Sequence, residues 1–101
     1  VLKQVAGALT RTATDATVIG RWGGEEFLVV VQVADVAKVQ ALAELLRRAV
    51  ATVVLPDARA VTASFGVAIH RPGETTSELV GRADNALYDA KRSGRNQVAL
   101  A

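Results

Sequence analysis

The stretch Arg21-Trp22-Gly23-Gly24-Glu25-Glu26-Phe27 decides how the rest of the chain is read. A short strand-like run, Thr17-Val18-Ile19-Gly20-Arg21-Trp22, leads into it, and a longer apolar run, Phe27-Leu28-Val29-Val30-Val31-Gln32-Val33, leads out. Two adjacent glycines between such runs predict a tight hairpin turn on Gly23-Gly24, because a two-residue primed turn needs positive φ and glycine reaches it without steric cost. Two carboxylates follow at once, so bare main chain lies beside concentrated negative charge. That pairing suits a phosphate against the glycines, with a divalent metal between phosphate and carboxylate. A solvated hairpin explains the same residues, and on turn signals alone it is the simpler reading.

On the amino side, Val1 to Leu9 is helix-periodic, with Leu2, Val5, Ala6 and Leu9 on one face. No capping residue precedes it and the first residue is Val rather than Met, so the helix is expected to begin upstream and the chain to be a fragment. Thr10 to Ala16 is polar and β-branched, the composition of a loop.

Beyond the hairpin, Phe27 to Val33 is apolar on both faces apart from Gln32, the pattern of a central strand covered on both sides. Asp35 is placed to cap a helix from about Val36 to Val53, striped by Val39, Leu42, Leu45, Leu46, Ala49 and Val53. Glu44 and Arg48 lie one turn apart on it, a minor stabilising pair. Pro56-Asp57 breaks the chain, and Asp57 is turn chemistry. From Val61 to His70 the residues alternate: Val61, Ala63, Phe65, Val67 and Ile69 face a core, while Thr62, Ser64, Gly66 and Ala68 keep the other face small. Thr75-x-x-Glu78 is a capping box opening a last helix, whose buried side is Leu79, Val80, Ala83, Ala86, Leu87 and Ala90. Gly94 ends it, and Gln97 to Leu100 is a short final strand. The expected order is α-β-β-α-β-α-β, one domain over residues 1–101.

Composition narrows the function classes. The 101 residues are half hydrophobic, mostly Ala and Val, with two Phe, one Trp and one Tyr, which fits a small aliphatic α/β domain. A net charge of only +2, with basic residues spread out except around Lys91, Arg92 and Arg95, is weak support for nucleic-acid binding. Phe65 and Tyr88 also do not fall on adjacent strands, so they form no stacking platform, and no nucleic-acid partner is expected. The absence of cysteine rules out disulfides and thiolate metal sites and agrees with a cytoplasmic home. No apolar run approaches the ~18 residues of a membrane span, although a tether outside this segment is compatible with it.

Among other candidates, His70 is the single histidine and lies beside Arg71-Pro72 with no orienting group in the sequence, so a solvated surface position is expected. Asp84 falls off the apolar stripe, as a surface acid or a structural hydrogen-bonding group. Lys91 and Arg95 are four apart across the helix end, where both can project the same way. Cations there ordinarily answer the helix dipole; beside Gly94 they equally suit a polyphosphate tail, Lys as point charge and Arg as fork.

Taken together, Arg-Trp-Gly-Gly-Glu-Glu-Phe, the strand Thr62-Ala63-Ser64-Phe65-Gly66-Val67-Ala68, and the run from Ala83-Asp84-Asn85-Ala86-Leu87-Tyr88 through Asp89-Ala90-Lys91-Arg92-Ser93-Gly94-Arg95-Asn96 resemble the GGDEF family, the bacterial diguanylate cyclases of second-messenger signal transduction. The resemblance implies an α/β (α+β) fold with a ferredoxin-like, palm-type sheet, here N-terminally truncated. It implies a nucleotidyltransferase that condenses two GTP into cyclic di-GMP and releases two pyrophosphates, with Mg²⁺ or Mn²⁺, in an antiparallel homodimer. An upstream sensory or receiver domain is the usual companion. By matching positions, Gly23 and Gly24 pack against the phosphates. Glu25 is a metal ligand and helps activate the attacking 3′-hydroxyl. Glu26 and Phe27 complete the signature and shape the turn, and Lys91 and Arg95 hold the phosphate tail.

The chain also departs from the family pattern. The first strand, which carries a second metal-binding Asp, and the Asn and Asp that read guanine are not in this sequence, so the segment alone is expected to be inactive. Thr14 and Thr17 occupy the positions of a product-binding Arg-x-x-Asp motif, so inhibition through that motif is expected to be absent. The missing strand would lie between the strand ending at Val33 and that starting near Val61. Those two edges are expected either to pair directly or to be covered by another chain. The alternative function is a degenerate GGDEF domain that binds GTP or serves as a regulatory or dimerisation module without turnover.

Overall fold

The computed structural model describes the backbone of residues 2–12, 16–23, 26–31, 35–53, 55–58 and 60–101, and side chains for residues 4–9 and for the described residues from Asp35 onward. The elements follow the expected order: α1 (Leu2–Thr12), β1 (Ala16–Gly23), β2 (Glu26–Val31), α2 (Val36–Ala51), β3 (Phe65–Val67), α3 (Thr76–Arg92) and β4 (Val98–Leu100). α1 runs on through Thr10, Arg11 and Thr12, where a loop was expected. Thr and Arg are only mildly poor helix formers, and a helix already nucleated extends at little cost.

β1 and β2 form an antiparallel hairpin with Arg21 opposite Phe27 and Gly23 opposite Glu26. Two residues on β1 therefore answer one on β2 at this point, and the register shift falls at Trp22. Gly23 belongs to the ladder rather than to the turn, which corrects the expected placement. Among the described residues β2 pairs only with β1, so the central-strand expectation is not met.

The remaining strands make a second, parallel pair, with Phe65, Gly66 and Val67 opposite Val98, Ala99 and Leu100. Parallel strands need a crossover, and α3 supplies it. The alternating segment expected from Val61 to His70 is strand over three residues only, matching its short partner. Its edge does not pair with β2 among the described residues, so the proposed direct pairing of the two edges is not found.

Alternation nonetheless sorts the two faces of β3. Val61, Ala63 and Phe65 pack against a core of Val5, Leu9, Leu46 and Val50 supplied by α1 and α2. Gly66 points the other way, against α3. A Cβ there would come within 2.1 Å of the Ala83 carbonyl and 2.3 Å of the Leu87 nitrogen, so the small face exists because helix main chain occupies it. The body is thus layered, α1 and α2 on one side of β3–β4 and α3 on the other.

On α2 the buried residues are Ala43, Leu46 and Val50, while Leu45 is 53% exposed. The expected stripe is otherwise kept, with Leu46 in the core, Leu42 packed against it and Val39, Ala49 and Val53 half-buried; only Leu45 turns outward, while Ala43 and Val50 turn in. Asp35 caps it as expected: its Oδ1 accepts the N–H of Ala37 at 2.9 Å and that of Lys38 at 3.4 Å. On α3, Ala86 and Ala90 are buried and Leu79, Val80, Ala83 and Leu87 half-buried, the expected side.

Candidate functional site

The site expected from sequence has two halves, and the structure describes them unequally. Gly23 ends β1, and Glu26 and Phe27 open β2, so the backbone of the hairpin end is defined by the Gly23–Glu26 pair. Gly24 and Glu25 lie outside the described residues, as do the side chains of the hairpin.

The second half is the C-terminal end of α3. Its N-terminal end is held by a reciprocal capping box: Glu78 N–H to Thr75 Oγ1 at 3.1 Å, and Thr75 N–H to Glu78 Oε1 at 2.9 Å. The hydrogen bonds from Thr75 hold the Glu78 carboxyl below its ordinary range. Seventeen residues later the helix stops at Arg92, with Lys91 half-buried in its last turn. Gly94 then takes φ 122° and Arg95 φ 63°. The Arg95 N–H reaches back to the Ala90 carbonyl at 3.0 Å, the longer bond of a Schellman stop. The spacing argument that put Lys91 and Arg95 on one helical face does not carry across this turn. Arg95 leaves the helix and is exposed, at a position set by the stop itself.

Sequence reasoning missed what holds that turn. Asn96, also left-handed at φ 47°, donates its N–H to Ser64 Oγ at 3.0 Å and accepts at Oδ1 from Arg47 Nη1 at 2.8 Å. Gln97 Nε2 donates to the carbonyls of Ser93 and Arg95. Arg47 is itself held by Glu44, through Nε to Oε2 at 2.9 Å and Nη2 to Oε1 at 2.5 Å. The expected Glu44–Arg48 pair exists at 3.3 Å but is the weaker of the two. The hydrogen bond from Arg47 brings the Glu44 carboxyl down from 4.5 to about 2. The i, i+3 spacing of Glu44 and Arg47 was visible; the tie to Asn96, 49 residues away, left no local signal.

A second clamp fixes the approach to α3. Arg82 grips Glu74 from Nε to Oε2 at 2.6 Å and from Nη2 to Oε1 at 2.9 Å, and Nη2 also donates to the Ile69 carbonyl. Arg82, helped by the Arg71 N–H, brings the Glu74 carboxyl down to about 2. His70 is exposed as expected, yet not merely solvated: its Nε2 lies 2.7 Å from the Glu74 carbonyl. Asp84 is on the exposed side of α3.

Among the described residues no three His, Cys, Asp or Glu side chains gather as a metal site. The carboxylate expected to hold a metal, Glu25, is not among them; as a hard oxygen donor it is of the kind that suits Mg²⁺. Among the described residues no helix is long and apolar enough to cross a membrane.

Comparison with known proteins gives these halves a common context. The family model for the diguanylate cyclase GGDEF domain matches residues 1–97. The diguanylate cyclase DgcM of Escherichia coli K12 is 40% identical over 101 residues, covering the whole of this chain and 25% of that protein. The diguanylate cyclase SiaD of Pseudomonas aeruginosa, solved in complex with its activator SiaC, superposes with a TM-score of 0.90 at 42% identity, over 97% of this chain and 39% of that one. The active GGEEF domain of a diguanylate cyclase from Vibrio cholerae superposes with a TM-score of 0.87 at 31% identity, over 98% of this chain and 65% of that one. The chain thus spans about a quarter of the length of the curated relative DgcM.

Proposed function

This chain belongs to the GGDEF family of diguanylate cyclases, and we propose that the protein it forms part of condenses two molecules of GTP into cyclic di-GMP. The observation that carries this reading is the intact Gly23-Gly24-Glu25-Glu26-Phe27 signature. A Vibrio cholerae domain with Glu in place of Asp in that signature is described as active, so the Glu25 variant of the motif is compatible with turnover.

Each 3′-hydroxyl attacks the α-phosphorus of the other nucleotide, so two phosphodiester bonds form and two pyrophosphates leave. Positioning and charge neutralisation are the main tasks of such a site. Gly23 and Gly24 offer main chain without side chains, so a phosphate can approach their N–H groups closely. Glu25, next in the signature, supplies the carboxylate to hold the counter-ion and draw the hydroxyl proton. Lys91 supplies a compact positive charge and Arg95 a planar fork for the departing pyrophosphate. A bound Mg²⁺ or Mn²⁺ supplies the Lewis acidity that lowers the hydroxyl pKa and screens the phosphates.

Two nucleotides must meet, so the active species is a homodimer in which each subunit presents one GTP. The second carboxylate and the guanine-reading pair that the family resemblance calls for are not in the 101 residues, and turnover therefore requires the longer parent. GTP as substrate places the domain in the cytoplasm, with an upstream sensory or receiver domain as the source of control. With Thr14 and Thr17 at the Arg-x-x-Asp positions, added cyclic di-GMP does not inhibit through that motif.

The test is incubation of the full-length protein with GTP and Mg²⁺, with product separated by chromatography. Cyclic di-GMP and pyrophosphate in a one-to-two ratio are expected. Binding of GTP without product would instead identify a regulatory module.

A further inference from the structure

Gly94, Arg95 and Asn96 hold φ of 122°, 63° and 47° in succession. Glycine takes such angles freely, but the left-handed region is strained for other residues, somewhat less so for Asn. A segment held this way persists only where its surroundings over-determine it, and such segments cluster at functional sites. A helix stop needs only Gly94 and the Arg95-to-Ala90 bond. This turn has more. Ser64 takes the Asn96 N–H from the segment before β3, and Arg47 reaches Asn96 Oδ1 from α2. The Arg47 side chain is only 20% exposed, and Glu44 occupies two of its three nitrogens, which leaves Nη1 directed at Asn96.

We propose that Glu44, Arg47 and Asn96 are positioning residues for the phosphate grip: α2 fixes the Asn96 amide, and Asn96 fixes the backbone from which Arg95 projects. The inference rests on the reading that Arg95 holds the phosphates of GTP. Its physical content is preorganisation. Ordering a mobile arginine on ligand binding costs conformational entropy, and a root already fixed by folding removes part of that cost from binding. Arg95 is exposed, so the turn beneath it sets where it projects.

The experiment measures KM and kcat for GTP, with the thermal unfolding midpoint, in the full-length protein. Asn96→Gly keeps the left-handed backbone and removes Oδ1; Asn96→Asp keeps the acceptor; Arg47→Lys keeps the charge and loses the fork. Asn96→Gly and Arg47→Lys are each expected to raise KM about fivefold, with kcat within about twofold of the parent. Asn96→Asp is expected to stay near the parent KM. In an Arg95→Ala background Arg47→Lys should raise KM no further, because its route to the substrate is gone. Loss of unfolding midpoint or kcat with KM unchanged marks a merely structural bond and overturns the proposal, as does an equal KM rise in the Arg95→Ala background. Should Arg47→Lys fail to fold, the two Asn96 variants decide alone. An Arg95→Ala enzyme with unchanged KM overturns the phosphate-grip reading itself and this inference with it. A normal Arg95 effect with silent Asn96→Gly and Arg47→Lys overturns the inference only.

Discussion

The β1–β2 hairpin and the turn that closes α3, which carry the two halves of the proposed site, are built by different means. In the hairpin, the described geometry is local: Arg21 pairs with Phe27 and Gly23 with Glu26, within a few residues of the motif. The turn after α3 has its own local stop, the Arg95 bond to the Ala90 carbonyl, and is tied from afar as well, by Arg47 on α2 and Ser64 before β3. A local device tolerates changes elsewhere in the fold, whereas a tertiary device moves when the body moves. Substitutions in the hairpin should therefore remove chemistry and spare stability. Substitutions in the body should disturb stability and the phosphate grip together.

The largest effect tests the hairpin half. In the full-length protein, Glu25→Gln should abolish cyclic di-GMP synthesis while leaving the unfolding midpoint where it was, since the amide keeps the shape and loses the charge. Product formation is followed by chromatography and folding by thermal melting. Turnover like that of the parent takes Glu25 out of the chemistry; a large loss of midpoint removes the contrast between the two regions.

Next comes the body. Gly66→Ala places a methyl against the Ala83 carbonyl and the Leu87 main chain, atoms that cannot rotate aside. The cost should be about 3 kcal/mol or somewhat more, read from denaturant unfolding. Because α3 carries Lys91 at its far end, GTP affinity should weaken in the same variant even where it remains folded. A stable Gly66→Ala protein with normal affinity would show that α3 is not held by β3.

Lys91→Ala probes the grip without touching the core. GTP affinity, measured with a non-hydrolysable analogue, should fall by the ~1.5–3 kcal/mol of a charge-assisted hydrogen bond. Unchanged affinity would return Lys91 to the ordinary service of a cation at a helix C-terminus.

The same contrast explains what was legible in the sequence. The hairpin, the Asp35 cap, the Thr75–Glu78 box and the Gly94 stop are local signals, and each is found where spacing puts it. Gly23 was misplaced by one step because the register shift at Trp22 draws it into the ladder, and a shift of that kind has no residue signature there. Leu45 was assigned to the core because α2 offers several overlapping apolar stripes, and only its packing against α1 and β3 chooses among them. The strand expected to run from Val61 to His70 kept its alternation but not its length, because a ladder is as long as its partner and β4 is three residues. At the site, residue types were legible and their placement was not. Arg95 was expected to project on the same side as Lys91, but the left-handed backbone of Arg95 and Asn96 depends on partners up to 49 residues away.

The smallest effect concerns how the body's two buttressing carboxylates respond to acid. Glu44 and Glu74 both have pKa values brought down to about 2, Glu44 first by its hydrogen bond to Arg47 and Glu74 first by its hydrogen bond to Arg82. An ordinary carboxyl in the unfolded chain titrates near 4.5. Between these values the unfolded state binds more protons, so each pair's contribution is complete above about pH 4.5 and is lost as pH falls toward about 2. Equal depression does not mean equal consequence. The Glu74 side chain is 8% exposed and gripped by two Arg82 nitrogens, whereas that of Glu44 is 37% exposed and open to screening. Denaturant midpoints of the parent should therefore fall as pH drops from about 4.5 toward about 2, and Glu74→Gln should flatten that fall more than Glu44→Gln does. Added salt should shrink the Glu44 share first, because mobile ions reach it. Equal flattening by the two variants would mean that the approach to α3 is no better shielded than the surface of α2, and that the helix carrying Lys91 is held mainly at its C-terminal end.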